Sequence, residues 1–157
     1  MTLADADRFR VTADVVAQTE RHLRRAGERG LELFVLWSGI LDGHMFAVRT
    51  LHVPPQTSYQ LEGGLMVHVD GDALHALNMW LYEHKEILAV QVHAHPSDAF
   101  HSDTDDTYPI VTAEGSLSIV AADFCRDGLL SDAPAAYRLR KKRWREVDLS
   151  LELLEVV

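Results

Sequence analysis

ILAVQVHAHPSDAFHSDTDD, residues 87–106, decides how this chain is read. It opens on an apolar run, Ile87 to Val92, with the length and β-branched content of a buried strand. His93 and His95 close that run. Side chains two apart on a strand point to one face, so both imidazoles project together from a rigid element. Pro96 cannot continue a central strand, and the chain leaves the sheet directly after the second histidine. Ser102 and Asp105 follow, spaced as a helix start and the same helix face one turn on. A carboxylate returning from that loop would complete three protein ligands. The fourth tetrahedral position would stay open, as in catalytic rather than structural zinc sites.

Each piece alone has a bland reading. A His-x-His pair is more often incidental than ligating. Asp98, Asp103, Asp105 and Asp106 alone would form a solvated acidic loop. Ser102 alone would be a helix cap. The combination at one strand end points to a metal, and neutral imidazole with carboxylate suits zinc, with iron, manganese or nickel also able to bind.

Composition narrows the chemistry. The 157 residues contain one cysteine and nine histidines. One cysteine excludes an internal disulfide, a four-cysteine zinc site and a CxxC redox pair. Metal or acid–base chemistry must therefore run on histidine and carboxylate. Acids outnumber bases 24 to 15, for a net charge of −9. That balance argues against affinity for nucleic acid or an anionic membrane, because phosphates would be repelled. The N-terminal MTLADADRFR has no basic stretch leading into an apolar run. No stretch approaches the roughly 20 apolar residues of a membrane span. A soluble cytoplasmic protein is the expectation.

Around the histidines, the chain reads as a single α/β domain over residues 1–157. Residues 12–29 carry Val15, Val16, Thr19 and Leu23 at helical spacing, with Gly30 as the stop. Residues 31–41 read as a strand, Asp42-Gly43 as a hairpin turn, and 44–53 as the returning strand. Pro54-Pro55 ends it, 55–64 reads as a loop, and 65–69 as a short strand. Asp72 is the expected cap of a helix to about Glu86, with Leu74, Leu77 and Leu81 inward. A short helix is expected near 102–110, a buried strand at 117–122, and two or three strands over 135–157. The order argues for helices around one mixed sheet rather than a regular βαβ repeat.

HAHP followed by Ser-x-x-Asp resembles the zinc motif of the JAMM/MPN metallopeptidases: His-x-His-Pro, a spacer, then Ser-x-x-Asp. That family also uses a glutamate on an early strand, and GLELFVLWSG supplies Glu32 with Gly39 seven residues on. The family pattern there is Glu-x-x-Gly-x-Leu-x-Gly, and Val35 and Trp37 stand where the inner Gly and Leu would be. The run AFHSxTDD looks like a bacterial, JAB-like branch found beside ubiquitin-like activation and conjugation enzymes. The resemblance spans about residues 12–123, with 135–157 as C-terminal strands. The spacer between proline and serine is five residues here against six in the family. An intact Ser-x-x-Asp unit makes Asp105 the ligand; an intact distance from the histidines makes it Asp106. Asp105 is preferred because a loop absorbs a deletion more easily than a helix absorbs a register change.

The resemblance implies an MPN/JAB fold, related to that of cytidine deaminases, and a zinc isopeptidase of the deubiquitinase-like kind. It implies one Zn²⁺ held by His93, His95 and Asp105, with Glu32 as general base and Ser102 as oxyanion donor. The implied substrate bond follows the C-terminal glycines of a ubiquitin-like protein. Activating and conjugating enzymes encoded nearby are further implied partners. Two alternatives stand beside it: a catalytically silent MPN-type binding module, and a zinc hydrolase of small peptides or amides. Deamination would need a PCxxC signature that a single cysteine cannot supply.

The remaining candidates have structural readings. His101 is expected at the surface. His22, His44, His52, His68, His75 and His84 lack metal-like spacing. Cys125 reads as a small core residue, and Trp37, Trp80 and Trp144 as core. Arg138, Arg140, Lys141, Lys142, Arg143 and Arg145 read as a solvated turn between strands. Glu32 lies among Leu31, Leu33, Phe34, Val35 and Leu36, with no clean alternation, which indicates a strand buried on both faces. A carboxylate there is costly unless it has a partner or a task.

Overall fold

In the computed structural model the described residues are 1–61, 64–97, 99, 110–130, 134–150 and 152–157, with backbone alone at 60, 61 and 64–66. Eight strands form one mixed sheet: β1 (Arg8–Val11), β2 (Val35–Asp42), β3 (Met45–His52), β6 (Ile87–Ala94), β7 (Leu117–Ala121), β8 (Ala135–Arg140), β9 (Arg143–Val147) and β10 (Leu154–Val156). Their order is β10-β1-β3-β2-β6-β7-β8-β9. β6 and β7 run parallel, as do β1 with β3 and β1 with β10; the other neighbours are antiparallel. β4 (Thr57–Leu61) and β5 (Gly64–His68) make a separate antiparallel hairpin.

Among the described residues, one helix covers each face. Helix α1 (Ala13–Glu28) is capped by Thr12, whose side chain accepts from the Val15 N–H. Its Val16 and Leu23 pack with Val35, Trp37, Phe46, Val90 and Val92. The Trp37 indole N–H donates to Thr19 Oγ1 at 2.9 Å, tying α1 to the centre of β2. Helix α2 (Gly71–His84) places Leu77 and Leu81 against Phe34, Leu36 and Val111. Neighbouring residues of β2 thus feed opposite layers, as strand alternation requires.

The expected α/β architecture with a mixed sheet and flanking helices is observed, and several boundaries move. The strand expected at 31–41 begins at Val35, and Glu32 lies in the segment before it. That strand is buried from Val35 to Gly39, as expected of a strand covered on both faces. The hairpin turn is Gly43-His44 rather than Asp42-Gly43, since Asp42 pairs with Met45. The loop expected at 55–64 contains β4 and the start of β5. Asp70, not Asp72, caps α2 by accepting from the Ala73 N–H at 3.0 Å. Lys85 takes a left-handed conformation and ends the helix, so Glu86 falls outside it. Leu74 is only half-buried. β1 and the three strands of the C-terminal region complete the sheet, and β1 has no counterpart in the sequence reading. The short helix expected near 102–110 lies almost wholly outside the described residues.

Arg138 corrects the reading of the basic run. Lys141 and Lys142 do form an exposed turn between β8 and β9. Arg138, however, is 5% exposed. Its Nε donates to the Gly115 carbonyl at 2.8 Å, and its two terminal nitrogens donate to the Ala6 carbonyl at 3.2 and 3.1 Å. The guanidinium also lies 5.0 Å from the centroid of the Phe9 ring. Burial, helped by nearby Arg140, lowers its pKa to about 10.

Candidate metal centre

The centre is built at the C-terminal ends of the parallel pair β6 and β7. His93 is the penultimate residue of β6, and His95 follows its end. Both are buried. Their Nε2 atoms lie 3.2 Å apart. Two nitrogens bound to a tetrahedral zinc at 2.0–2.1 Å would stand about 3.3 Å apart, so the observed pair fits such an ion. The His95 N–H donates to the Ala121 carbonyl at 2.9 Å, which continues the β6–β7 ladder one step beyond the strand. The second histidine is therefore held by the sheet even though Pro96 turns the chain away.

The segment before β2 closes one side. The Phe34 ring lies 4.5 Å, centroid to centroid, from the His93 ring. Gln56 holds that segment as a neighbouring strand would. Its Oε1 accepts from the Phe34 N–H at 2.7 Å, and its Nε2 donates to the Phe34 carbonyl at 2.9 Å. Glu32 lies two residues earlier on the same segment and is 8% exposed. Further on, in β2, Gly39 is demanded by close approach: a Cβ there would meet the Ala47 carbonyl oxygen at 1.9 Å.

Gln91 anchors the floor beneath His93. Its Nε2 donates to Ser118 Oγ at 3.1 Å, and its Oε1 accepts from the Val111 N–H at 3.2 Å. Val111 follows the stretch of sequence that carries Ser102 and Asp105. Gln91 thus links the histidine strand to the chain returning from that stretch. Neither Gln56 nor Gln91 is signalled by spacing, since a glutamine side chain acting on backbone leaves no periodic trace.

Of the expected site residues, the structure brings His93 and His95 together and buries Glu32 on the segment that contacts His93. Ser102, Asp105 and its rival Asp106 lie outside the described residues, as do Asp98, His101 and Asp103. Among the described residues no three His, Cys, Asp or Glu side chains group as a metal site.

Cys125 and His52 are titratable residues away from the histidine pair. Cys125 is buried and its thiol is pushed up to about 11 by burial and the Glu20 carboxylate, which keeps it protonated. His52 belongs to a polar cluster on the α2 side. Ser38 Oγ donates to Glu86 Oε2 at 2.5 Å and lies 2.7 Å from His52 Nε2. Ser38 has one hydroxyl proton, so His52 Nε2–H is the donor in their contact. Thr50 Oγ1 donates to the other oxygen of Glu86 at 3.1 Å. Burial lowers the pKa of His52, against the opposing pull of Glu86.

No family model matches the chain. Its fold resembles the solution structure of protein DSY2949 from Desulfitobacterium hafniense, with a TM-score of 0.62 over 95% of this chain and 92% of that one. At 14% identity that likeness speaks for the fold alone. The sequence is 37% identical over 146 residues to the "Probable metalloprotease y4jG" of Sinorhizobium fredii, covering 92% of this chain and 90% of the relative. At that identity and coverage, the chain belongs to the family of this metalloprotease.

Proposed function

We propose that the chain is a zinc-dependent isopeptidase or peptidase that cuts after the C-terminus of a ubiquitin-like protein. The observation that carries the metal half of this reading is the buried pair His93 and His95, meeting Nε2 to Nε2 at 3.2 Å. The metalloprotease relative supports the same coarse chemistry. The His-x-His-Pro and Ser-x-x-Asp spacing supports the finer one.

His93, His95 and Asp105 would hold the metal. When bound, zinc supplies a Lewis acid that acidifies water and polarises the scissile carbonyl. Phe34 packs on the His93 ring and limits its rotation. Glu32 takes the proton of the attacking water and passes it to the leaving amine. Ser102 donates a hydrogen bond to the oxygen that gains charge as the carbonyl becomes tetrahedral. A glycine-ended tail suits the reading because glycine, with no side chain, makes the slimmest extended strand.

The test is cleavage by the full chain, with zinc, of a ubiquitin-like protein fused through its terminal glycines to a reporter. Release of the reporter, abolished by chelator and restored by zinc, is expected. A chain that binds zinc and cuts only short unstructured peptides would replace the ubiquitin-like substrate by small peptides.

A further inference from the structure

Directly after β7 the backbone does something rare. Asp123, Phe124 and Cys125 take φ values of 50°, 53° and 62°, three successive left-handed residues that all carry side chains. Such a run is disfavoured for L-residues and persists only where its surroundings hold it. Its surroundings are the second histidine on one side and α1 on the other. The Phe124 N–H donates to the His95 carbonyl at 2.7 Å, and the Asp123 N–H donates to the Ser97 carbonyl at 2.9 Å. Together with the His95 N–H on Ala121, both backbone groups of His95 are thereby fixed.

From the other side, Arg24 Nε donates to the Cys125 carbonyl at 3.0 Å. Glu20 Oε2 accepts from the Leu129 N–H at 2.7 Å, just beyond the turn. Gly27 lies directly against it: a Cβ there would fall 2.4 Å from Phe124 Cβ and 2.8 Å from its Cγ. The helix is bare at this position so that the phenylalanine can sit down on it.

We propose that the left-handed turn Asp123–Cys125, seated on α1, is a positioning device for the metal centre, and that Arg24 and Gly27 are positioning residues acting through the Phe124 backbone N–H on the His95 carbonyl. The proposal rests on the reading of His93 and His95 as metal ligands. The β6–β7 ladder holds the His95 N–H, but the chain leaves the sheet at Pro96 and the ladder does not hold the His95 carbonyl. The turn supplies that constraint from the neighbouring parallel strand.

Zinc titration of the metal-free full chain tests it, with circular dichroism and melting of the metal-free variants as controls. Arg24→Met removes one hydrogen bond from a partly exposed side chain and should weaken zinc binding about tenfold, the scale of outer-shell losses. Arg24→Lys, which keeps a donor, should recover most of it. Gly27→Ala should weaken binding similarly, and Gly27→Ala with Phe124→Gly should restore it by emptying the space the methyl needs. Cobalt(II) absorption should shift in the two weakened variants and return in the two recovered ones. Wild-type zinc affinity in both Arg24→Met and Gly27→Ala overturns the proposal. So does lost affinity without recovery in Arg24→Lys and the double variant, since that marks a purely structural role. A wild-type chain that binds no zinc overturns the metal reading itself, and the proposal with it.

Discussion

His93 and Phe34 lie ring against ring, 4.5 Å between centroids, although one is the penultimate residue of β6 and the other precedes β2. This contact joins the two parts of the chain that the proposed chemistry needs: the histidine strand and the segment of Glu32. Glu32→Gln keeps shape and hydrogen-bonding capacity but cannot accept a proton at neutral pH. Zinc affinity should be retained while turnover falls by about 10²–10⁴. Zinc titration beside steady-state kinetics checks both; loss of zinc along with activity would make Glu32 a ligand or a structural acid.

The two candidate third ligands separate by substitution. Asp105→Ala should weaken zinc binding by more than about 100-fold, beyond the range of outer-shell changes, with Asp106→Ala having the smaller effect. Equilibrium titration with a competing chelator reads the difference. The reverse order would assign Asp106 as the ligand and show that the chain keeps distance from the histidines rather than the Ser-x-x-Asp unit.

Arg138→Met should destabilise the fold by about 2–3 kcal/mol in urea unfolding, because the buried Ala6 and Gly115 carbonyls lose a charged donor. A change within error would mean that water replaces the guanidinium.

Stability should fall as the pH drops below the ordinary histidine value of roughly 6.5. His52 has a lowered folded pKa, from burial first, with Glu86 opposing and His84 assisting. The unfolded chain therefore takes up a proton before the folded one does. The associated stability is present above the unfolded pKa and is lost as the pH falls towards the folded pKa. Unfolding of wild type and His52→Gln at pH 7.5 and 5.5 checks this, with the smaller loss expected for His52→Gln. Equal losses would remove His52 as a source.

Where local pattern and packing agree, the sequence was readable. α1 follows from Val16, Thr19 and Leu23 at helical spacing, and all three are buried. β6 follows from its apolar run, which lies between two strands. The histidine pair was legible because strand alternation alone puts residues 93 and 95 on one face. What escaped depends on distant partners. β1 is four residues, RFRV, and is a strand only because β3 and the C-terminal β10 pair with it. Arg138 reads as one cation in a basic run until the Ala6 and Gly115 carbonyls are seen to need it. The start of β2 was misplaced because Gln56 supplies from its side chain the hydrogen bonds that a strand would supply at Phe34. The turn at Asp123–Cys125 escapes the sequence for the opposite reason: Asp123 alone belongs to a residue type that takes left-handed backbone with any frequency, and Phe124 and Cys125 carry no such signal.

The proposed chemistry depends on a metal held by His93 and His95. It is tested most directly by zinc content and zinc titration of wild type, His93→Ala and His95→Ala, measured by elemental analysis and calorimetry. About one zinc per wild-type chain is expected, with binding lost in either variant and the fold retained. A wild-type chain that takes up no zinc, or a His93→Ala chain that binds it as tightly as wild type, would contradict it.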